Sequence, residues 1–511
     1  MGDNLTRFFH GTVQYPIFPD APIRYHYLFF MVVGILEKLG LRIDWALNIP
    51  SALGLFGVIV LLYLLAKQLF HSVAIGVLTI IFFLFNGSLA FLQFFTLHPL
   101  SVNSLSDIIH ANAFPAFAPW GPGLVSAFWN LNIFTNQRHL APAFAIVLLF
   151  IYTIIKDKSY TPKQQILRAI PWGIVLGLFP FFHPPALFIV AIFMICYFFL
   201  YPRSRIFLIT VGVLTLMIAL PQFAHIQSEA KITQWYPGYI VHNELLSLSS
   251  PFRMIWYMIV FWWQNFGIHS ILILIGFFII PKNARRAIVP ILPIFIIPNL
   301  FKFAVEASAN HKFFNFVIML GAMISAYVLV SIFQIIRKRK NILLSIPVTF
   351  FLSIILLALT LSGIIDFFVV KNDIKGTIAD IGANETATWI ANNTPPSAIF
   401  LNSSYLYHPA SIAGRAIFLG WPYFAWSAGY TQNRAPEMDT MYESHDPNLM
   451  CPLFEQYHIS YITVEDVTND HDLPHIDLSY FLQTYTPAFI TKNKQLAIFT
   501  TKELCQNRSK P

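Results

Sequence analysis

The chain has 511 residues, of which 56% are hydrophobic and only 11% charged; Phe alone counts 51 and the formal net charge is +8. A soluble domain carries about 25% charged residues, so a wholly cytosolic or disordered protein is excluded, and the apolar excess needs lipid as its solvent. Three Cys exclude a disulfide scaffold and a Cys-rich metal site, and much of the basic excess sits in short connectors between apolar runs, a pattern of membrane orientation and not of nucleic-acid binding.

Met1 to Pro19 is polar and aromatic, without a cleavable-signal pattern. Tyr25 to Gly40 is apolar but short and ends in Glu37-Lys38, which predicts a helix lying on the membrane surface. A crossing helix needs about 20 mostly apolar residues. Ten stretches qualify or nearly do: 46–66, 72–94, 139–155, 169–182, 184–201, 205–221, 254–280, 287–305, 313–336 and 342–370. His183-Pro184-Pro185 interrupts the fourth and fifth, because Pro cannot continue the hydrogen-bond ladder; two helices are expected to meet there at one membrane face.

The positive connectors then fall on one side: Lys67; Lys156, Lys158, Lys163 and Arg168; Arg203 and Arg205; Lys282, Arg285 and Arg286; and Arg337 to Lys340. That side is cytoplasmic by the positive-inside rule. The opposite face receives 1–45, 95–138, 222–253, 306–312 and 371–511. The expected plan is an outer loop with a surface helix (1–45), a transmembrane helical domain (46–370) and an extracytoplasmic α/β domain (371–511) in a plasma (inner) membrane. Ten alternating spans also put the N-terminus outside, so either the short N-terminus is translocated unaided or, as favoured here, a further helix is expected ahead of the chain as given.

Residues 371–511 are polar and rich in turns. Asn384-Glu385 opens a short helix stopped by Thr394-Pro395-Pro396. Ala398–Leu401 and Tyr461–Val464 read as strands, Leu453–Tyr457 as the end of a helix, and 488–490 with 496–499 as a hairpin. Cys451 and Cys505 both lie here and either pair or stay free.

Chemistry-bearing residues recur at outer helix ends: Arg24 and His26, Arg138 and His139, His183, and His311 and Lys312. Together they suit an anionic headgroup such as a lipid phosphate. Outer carboxylates are few: Asp3, Asp20, Glu37, Asp44, Asp107, Glu229, Glu244, Glu306 and Asp366 near the end of the last span. Asp20, between two prolines and beside Arg24 and His26, has the best company for a general base. No His pair has zincin spacing, and no phosphate loop, dinucleotide fingerprint or nucleophile elbow occurs. No metal site is assigned, although a divalent metal remains open as a cofactor.

The stretches Pro22–Tyr27, Phe128-Trp129-Asn130 with Asn136-Gln137-Arg138, Asn310-His311-Lys312, Glu385–Ile390 through Thr394-Pro395, Ala413-Gly414-Arg415 and Gly420-Trp421 resemble the GT-C superfamily of polyprenyl-phosphate-sugar-dependent glycosyltransferases. Protein O-mannosyltransferases and aminoarabinose transferases belong to it. The resemblance implies an integral membrane enzyme that moves a sugar, with inversion, from a polyprenyl-phosphate donor to an acceptor (glycan, lipid or protein) on the outer face. It makes Asp20 and Asp3 the candidate bases and Arg138, His311, Lys312, Arg24 and His183 the candidate phosphate ligands. His26, His139, Arg415 and Trp421 would line substrate access. The superfamily's usual acidic pair in the first outer loop is missing from residues 1–45. The alternatives are a flippase for lipid-linked sugars, which would not require a folded outer domain, and a non-catalytic membrane scaffold.

Overall fold

A computed structural model describes residues 14–115, 124–156, 160–226, 233–338, 342–373, 381–465 and 473–506. The chain divides into two compact units. One comprises Arg42–Phe223 and Thr233–Ile374; the other comprises Met1–Leu41, Ala224–Ile232 and Lys375–Pro511.

The first unit is a multi-pass helical bundle. Among the described residues five helices are long and apolar enough to cross a membrane: Ile43–Phe70, Pro162–Phe182, Pro202–His225, Ala307–Lys338 and Ile346–Asn372. Shorter apolar helices, Val73–Leu84, Leu140–Ile155 and Pro184–Leu200, pack among them. Ala307–Lys338 buries 72% of its apolar window, against 28–39% for the other four, so it is the central post of the bundle. The core is aromatic: Phe82, Phe144, Phe193, Phe314 and Phe316 are fully buried. Where backbones must approach closely a small residue is used: a Cβ on Gly54 would overlap the Pro142 ring of the Leu140–Ile155 helix.

Several apolar runs are not the single helices that hydropathy suggests. The expected span 254–280 consists of Pro251–Phe266 and Ile268–Ile279, bent by 101° at Gly267. Gly267 has φ +53°, a conformation open to glycine at little cost. The expected span 72–94 ends at Leu84 and resumes at Ala90. The expected span 287–305 divides between the end of the helix Lys282–Ile288 and the helix Ile291–Leu300, after which Phe301–Lys302 pairs antiparallel with Gln234–Trp235. By contrast, 169–182 belongs to a longer stretch, Pro162–Phe182, that passes as a span. Its first helix starts at a capping box of Thr161 and Gln164. His183 divides it from the next helix and caps that helix, its Nδ1 accepting from the Ala186 N–H at 3.1 Å.

The second unit is built on a mixed five-stranded sheet in the order 416–417, 399–401, 459–465, 496–500, 489–490. The first three strands are parallel and the last two antiparallel. Asn384 caps the Glu385–Asn393 helix, accepting from the Ala387 N–H at 2.9 Å. Cys451 and Cys505 form a disulfide, with Cα atoms 5.9 Å apart, that ties the Pro447–Gln456 helix to Thr501–Cys505. Residues 14–22 are part of this unit. Their antiparallel pair, Gln14–Tyr15 with Phe18–Pro22, runs beside the edge strand: Ile417 N–H donates to Pro16 O and Gly420 N–H to Ile17 O. An edge that would expose unpaired backbone is thereby covered, and Phe18 enters the core with Phe418 and Tyr442. The helix that follows, Leu28–Lys38, lies within the stretch 25–40.

Candidate functional site

Five of the residues singled out from sequence fall in the helical unit, Arg138, His139, His183, His311 and Lys312; five fall in the other, Asp20, Arg24, His26, Arg415 and Trp421. Asp3 lies outside the described residues.

In the helical unit three helix N-termini come together. His139 stands just before Leu140–Ile155, His183 caps Pro184–Leu200, and His311-Lys312 opens the helix ending at Lys338. The His139 and His183 rings are 5.3 Å apart, and His139, His311 and Lys312 lie within electrostatic reach of one another. None of the three helices carries an acidic residue in its first turn. His183 closes the start of Pro184–Leu200, whose first two residues are prolines without an N–H, so the positive charge of this corner comes from Lys312 and the start of Leu140–Ile155, with Glu306 as the acidic group near it.

The histidines are buried: His183 is fully enclosed, His311 2% and His139 3% exposed. His311 is held from both ring nitrogens. Its Nε2 lies 2.9 Å from the Gln137 amide nitrogen and its Nδ1 2.8 Å from Asn315 Oδ1. A Gln137 N–H donating to Nε2 leaves the proton on Nδ1, which then donates to Asn315; Asn315 in turn donates to Phe128 O at 2.6 Å. This ordering fixes one neutral tautomer. Gln137 Oε1 is buried and accepts from none of the described residues. Lys312 is half-buried and its ammonium carries no hydrogen bond among the described residues; Glu306 is the acidic group that acts on it. Arg138 is turned aside, donating from Nη1 to Asn48 Oδ1 at 2.8 Å.

The cations of the other unit serve its own fold. Arg415, 7% exposed, donates to Ala391 O, Thr394 O, Thr394 Oγ1 and Ala413 O, which seals the end of the Glu385–Asn393 helix. Arg24 donates to Gly429 O and lies over the Tyr430 ring, 4.7 Å from its centroid. His26 is buried and stacked on Tyr25. Trp421 is 39% exposed and packs on Tyr423 and Phe424. Asp20 is exposed, at φ +63°. Its charge acts on Arg434, a cation that the sequence reading did not single out. Arg434 is set over Phe18 and donates to Pro19 O and Phe418 O. Burial disfavours the Arg434 charge, and Tyr457, Asp20 and Glu437 act against that.

Two positions carry more than their sequence context signals. Gln137 was quoted only as a neighbour of Arg138, yet it orients His311. Asp366, one of nine outer carboxylates by sequence, is 1% exposed and accepts from Ser126 Oγ and Asn130 Nδ2. Both donors are more than 230 positions away, so no local pattern reports them. Among the described residues no group of three or more His, Cys, Asp or Glu is placed to hold a metal ion.

No family model matches the chain and no curated protein matches it in sequence. Solved structures do. The archaeal oligosaccharyltransferase AglB from Archaeoglobus fulgidus, in complex with an inhibitory peptide and a dolichol-phosphate, superposes with TM-score 0.50 at 13% identity, over 98% of this chain and 69% of that one. The apo form of the Archaeoglobus fulgidus oligosaccharyltransferase gives 0.52 at 11% identity, over 91% and 64%. ArnT from Cupriavidus metallidurans, bound to undecaprenyl phosphate, gives 0.46 at 11%, over 97% and 91%. This chain thus spans roughly two thirds of the oligosaccharyltransferases' length. The chain shares the fold of these oligosaccharyltransferases.

Proposed function

We propose that the chain is a membrane glycosyltransferase that takes a sugar from a polyprenyl-phosphate donor and passes it, with inversion, to a hydroxyl acceptor outside the cytoplasm. The observation that carries this reading is the convergence of His139, His183 and His311 with Lys312, whose ammonium has no hydrogen bond among the described residues. A phosphate is the group that such an arrangement holds best. The shared fold and the dolichol-phosphate in the AglB complex support a lipid-linked donor.

In the proposed step the acceptor oxygen attacks the anomeric carbon from the face opposite the phosphate. The bond from that carbon to the phosphate oxygen breaks, and the electron pair leaves with the phosphate. Lys312 takes up the developing negative charge, which is where such a group lowers a barrier. Gln137 Oε1, a free acceptor beside His311, suits a sugar hydroxyl. The acceptor's proton goes to a carboxylate; Asp20 and Asp3 are the candidates that the sequence offers. The Cys451–Cys505 disulfide supports an oxidising compartment for the terminal unit, in a plasma membrane crossed by the bundle.

The test uses the purified full chain and a panel of radiolabelled sugar polyprenyl phosphates. Donor-dependent labelled product, lost in Lys312→Gln and in Asp20→Asn, is the expected result. Product from the wild type that survives Lys312→Gln overturns the phosphate site. Movement of the labelled lipid across vesicles without product makes the chain a flippase, and neither activity makes it a scaffold.

A further inference from the structure

Three interruptions of apolar helices meet at one buried place in the helical unit. The chain unwinds between Leu84 and Ala90 and turns at Gly267, and the helix Ile346–Asn372 has a turn-like irregularity at Leu359-Thr360. The breaks touch: a Cβ on Gly267 would lie 2.6 Å from Gly87 O, one on Gly87 would strike Leu359 O, and one on Gly363 would strike the Phe85 backbone. They are also stitched by hydrogen bonds. Ser362 Oγ–H donates to Ser88 O at 2.6 Å, Phe91 N–H to Ser362 Oγ at 3.0 Å, and Leu89 N–H to Gln264 O at 2.8 Å. Unwound backbone at membrane depth is tolerated only inside protein, and in transporters broken helices of this kind surround bound ions.

Asp366 lies one turn beyond Gly363 on the same helix. Its Oδ2 accepts from Ser126 and Asn130, while its Oδ1 is buried and has no partner among the described residues. No cationic side chain pairs with it among those residues, and the stretch 116–123 leading toward Ser126, Ala-Phe-Ala-Pro-Trp-Gly-Pro-Gly, has none to offer. A cation at the bare Oδ1 would hold this carboxyl in its ionised form. An ionised carboxylate sealed in an apolar bundle demands a counter-charge. Ser88 Oγ stands 3.4 Å from Ser126 Oγ, so hydroxyl oxygens line the same spot. The Asn86 amide nitrogen is likewise buried without a partner among the described residues; turned end for end, that amide offers its oxygen.

We propose that Asp366 is the anionic ligand of an intramembrane site for a small monovalent cation, sodium, completed by the Ser88 and Ser126 hydroxyls and by carbonyls at the helix breaks. One carboxylate among neutral oxygens balances a single positive charge. A set made only of hard oxygen donors, without His or Cys, suits an alkali ion and not a transition metal. The bound ion ties Asp366 to Ser126 and, through Ser88, to the break between Leu84 and Ala90, and so stabilises the bundle. This site is independent of the glycosyl-transfer reading.

The test is thermal unfolding of the full chain in detergent as sodium chloride replaces choline chloride at constant ionic strength. The expected result is a saturable rise in Tm of several degrees in the wild type and none in Asp366→Asn. That variant should unfold in choline near the temperature of the sodium-saturated wild type, because an amide needs no counter-ion. Ser126→Ala should raise half-saturating sodium at least tenfold. A wild-type Tm indifferent to sodium, or an equal sodium response in Asp366→Asn, overturns the proposal. If Asp366→Asn does not fold, binding of radioactive sodium to the wild type decides: saturable uptake supports the site and its absence overturns it.

Discussion

The two units treat buried cations in opposite ways. In the terminal unit Arg415 donates to four oxygens of its own fold and Arg434 to two, over an aromatic face. In the helical unit Lys312 sits near His139 and His311 with nothing to bond among the described residues. A cation saturated by main-chain carbonyls is holding structure. A cation that adds charge to an already positive corner raises the folding cost and is retained for something that is not protein. Residue type does not separate the two roles; what the donors touch does.

That contrast can be broken at four points. Removing the disulfide with Cys451→Ala and Cys505→Ala frees a loop of 54 positions and should cost the terminal unit about 4 kcal/mol. Chemical denaturation with and without reductant measures this, and the helical unit should be unaffected. Lys312→Gln should lower transfer by about 100- to 1000-fold, the usual loss when a donor to developing charge is removed, while leaving Tm unchanged or slightly raised. A large fall in Tm would place Lys312 with the structural cations. Arg415→Met should do the reverse: it strands the carbonyls of Ala391 and Thr394 and should cost about 2–3 kcal/mol of unfolding free energy, with any activity loss following the folded fraction.

The fourth point is pH. His408 is fully buried, Nε2 against Thr463 Oγ1 at 2.8 Å and Nδ1 accepting from Ala410 N–H, and burial pushes its pKa down to about 3. The folded state therefore holds it neutral, while the unfolded chain binds a proton near pH 6.5. Stability from this group is full above pH 6.5 and is lost as pH falls toward 3, by about 2 kcal/mol at pH 5. His408→Gln should flatten that part of the stability profile, measured by denaturant titration at a series of pH values.

Much of the bundle was legible in the sequence, because a helix in lipid must be apolar along its whole length and composition alone reports it. The His183-Pro184-Pro185 stop and the Asn384 cap were legible too, since each acts within four residues. The break at Gly267 was not: hydropathy measures side chains, and a backbone that turns by 101° can remain apolar on both sides. Nor was the fate of Arg415, since three of its bonds reach back 21 to 24 positions, two of them to main-chain oxygens that every residue type possesses. His139, His183 and His311 were each noticed, but their meeting depends on how three helices pack, and sequence spacing carries no information about that.

The strand at Phe18–Pro22 sets the order of assembly. Arg434 reaches Pro19 across 415 positions and Tyr430 reaches Pro22 across 408. At synthesis rates of 5–20 residues per second, the early segment waits about 20–80 s for its partner. During that time Phe18 has no hydrophobic shelter in its own unit. The terminal unit therefore closes only when its two ends meet, and the newborn chain depends on something to keep its first strand from sticking elsewhere.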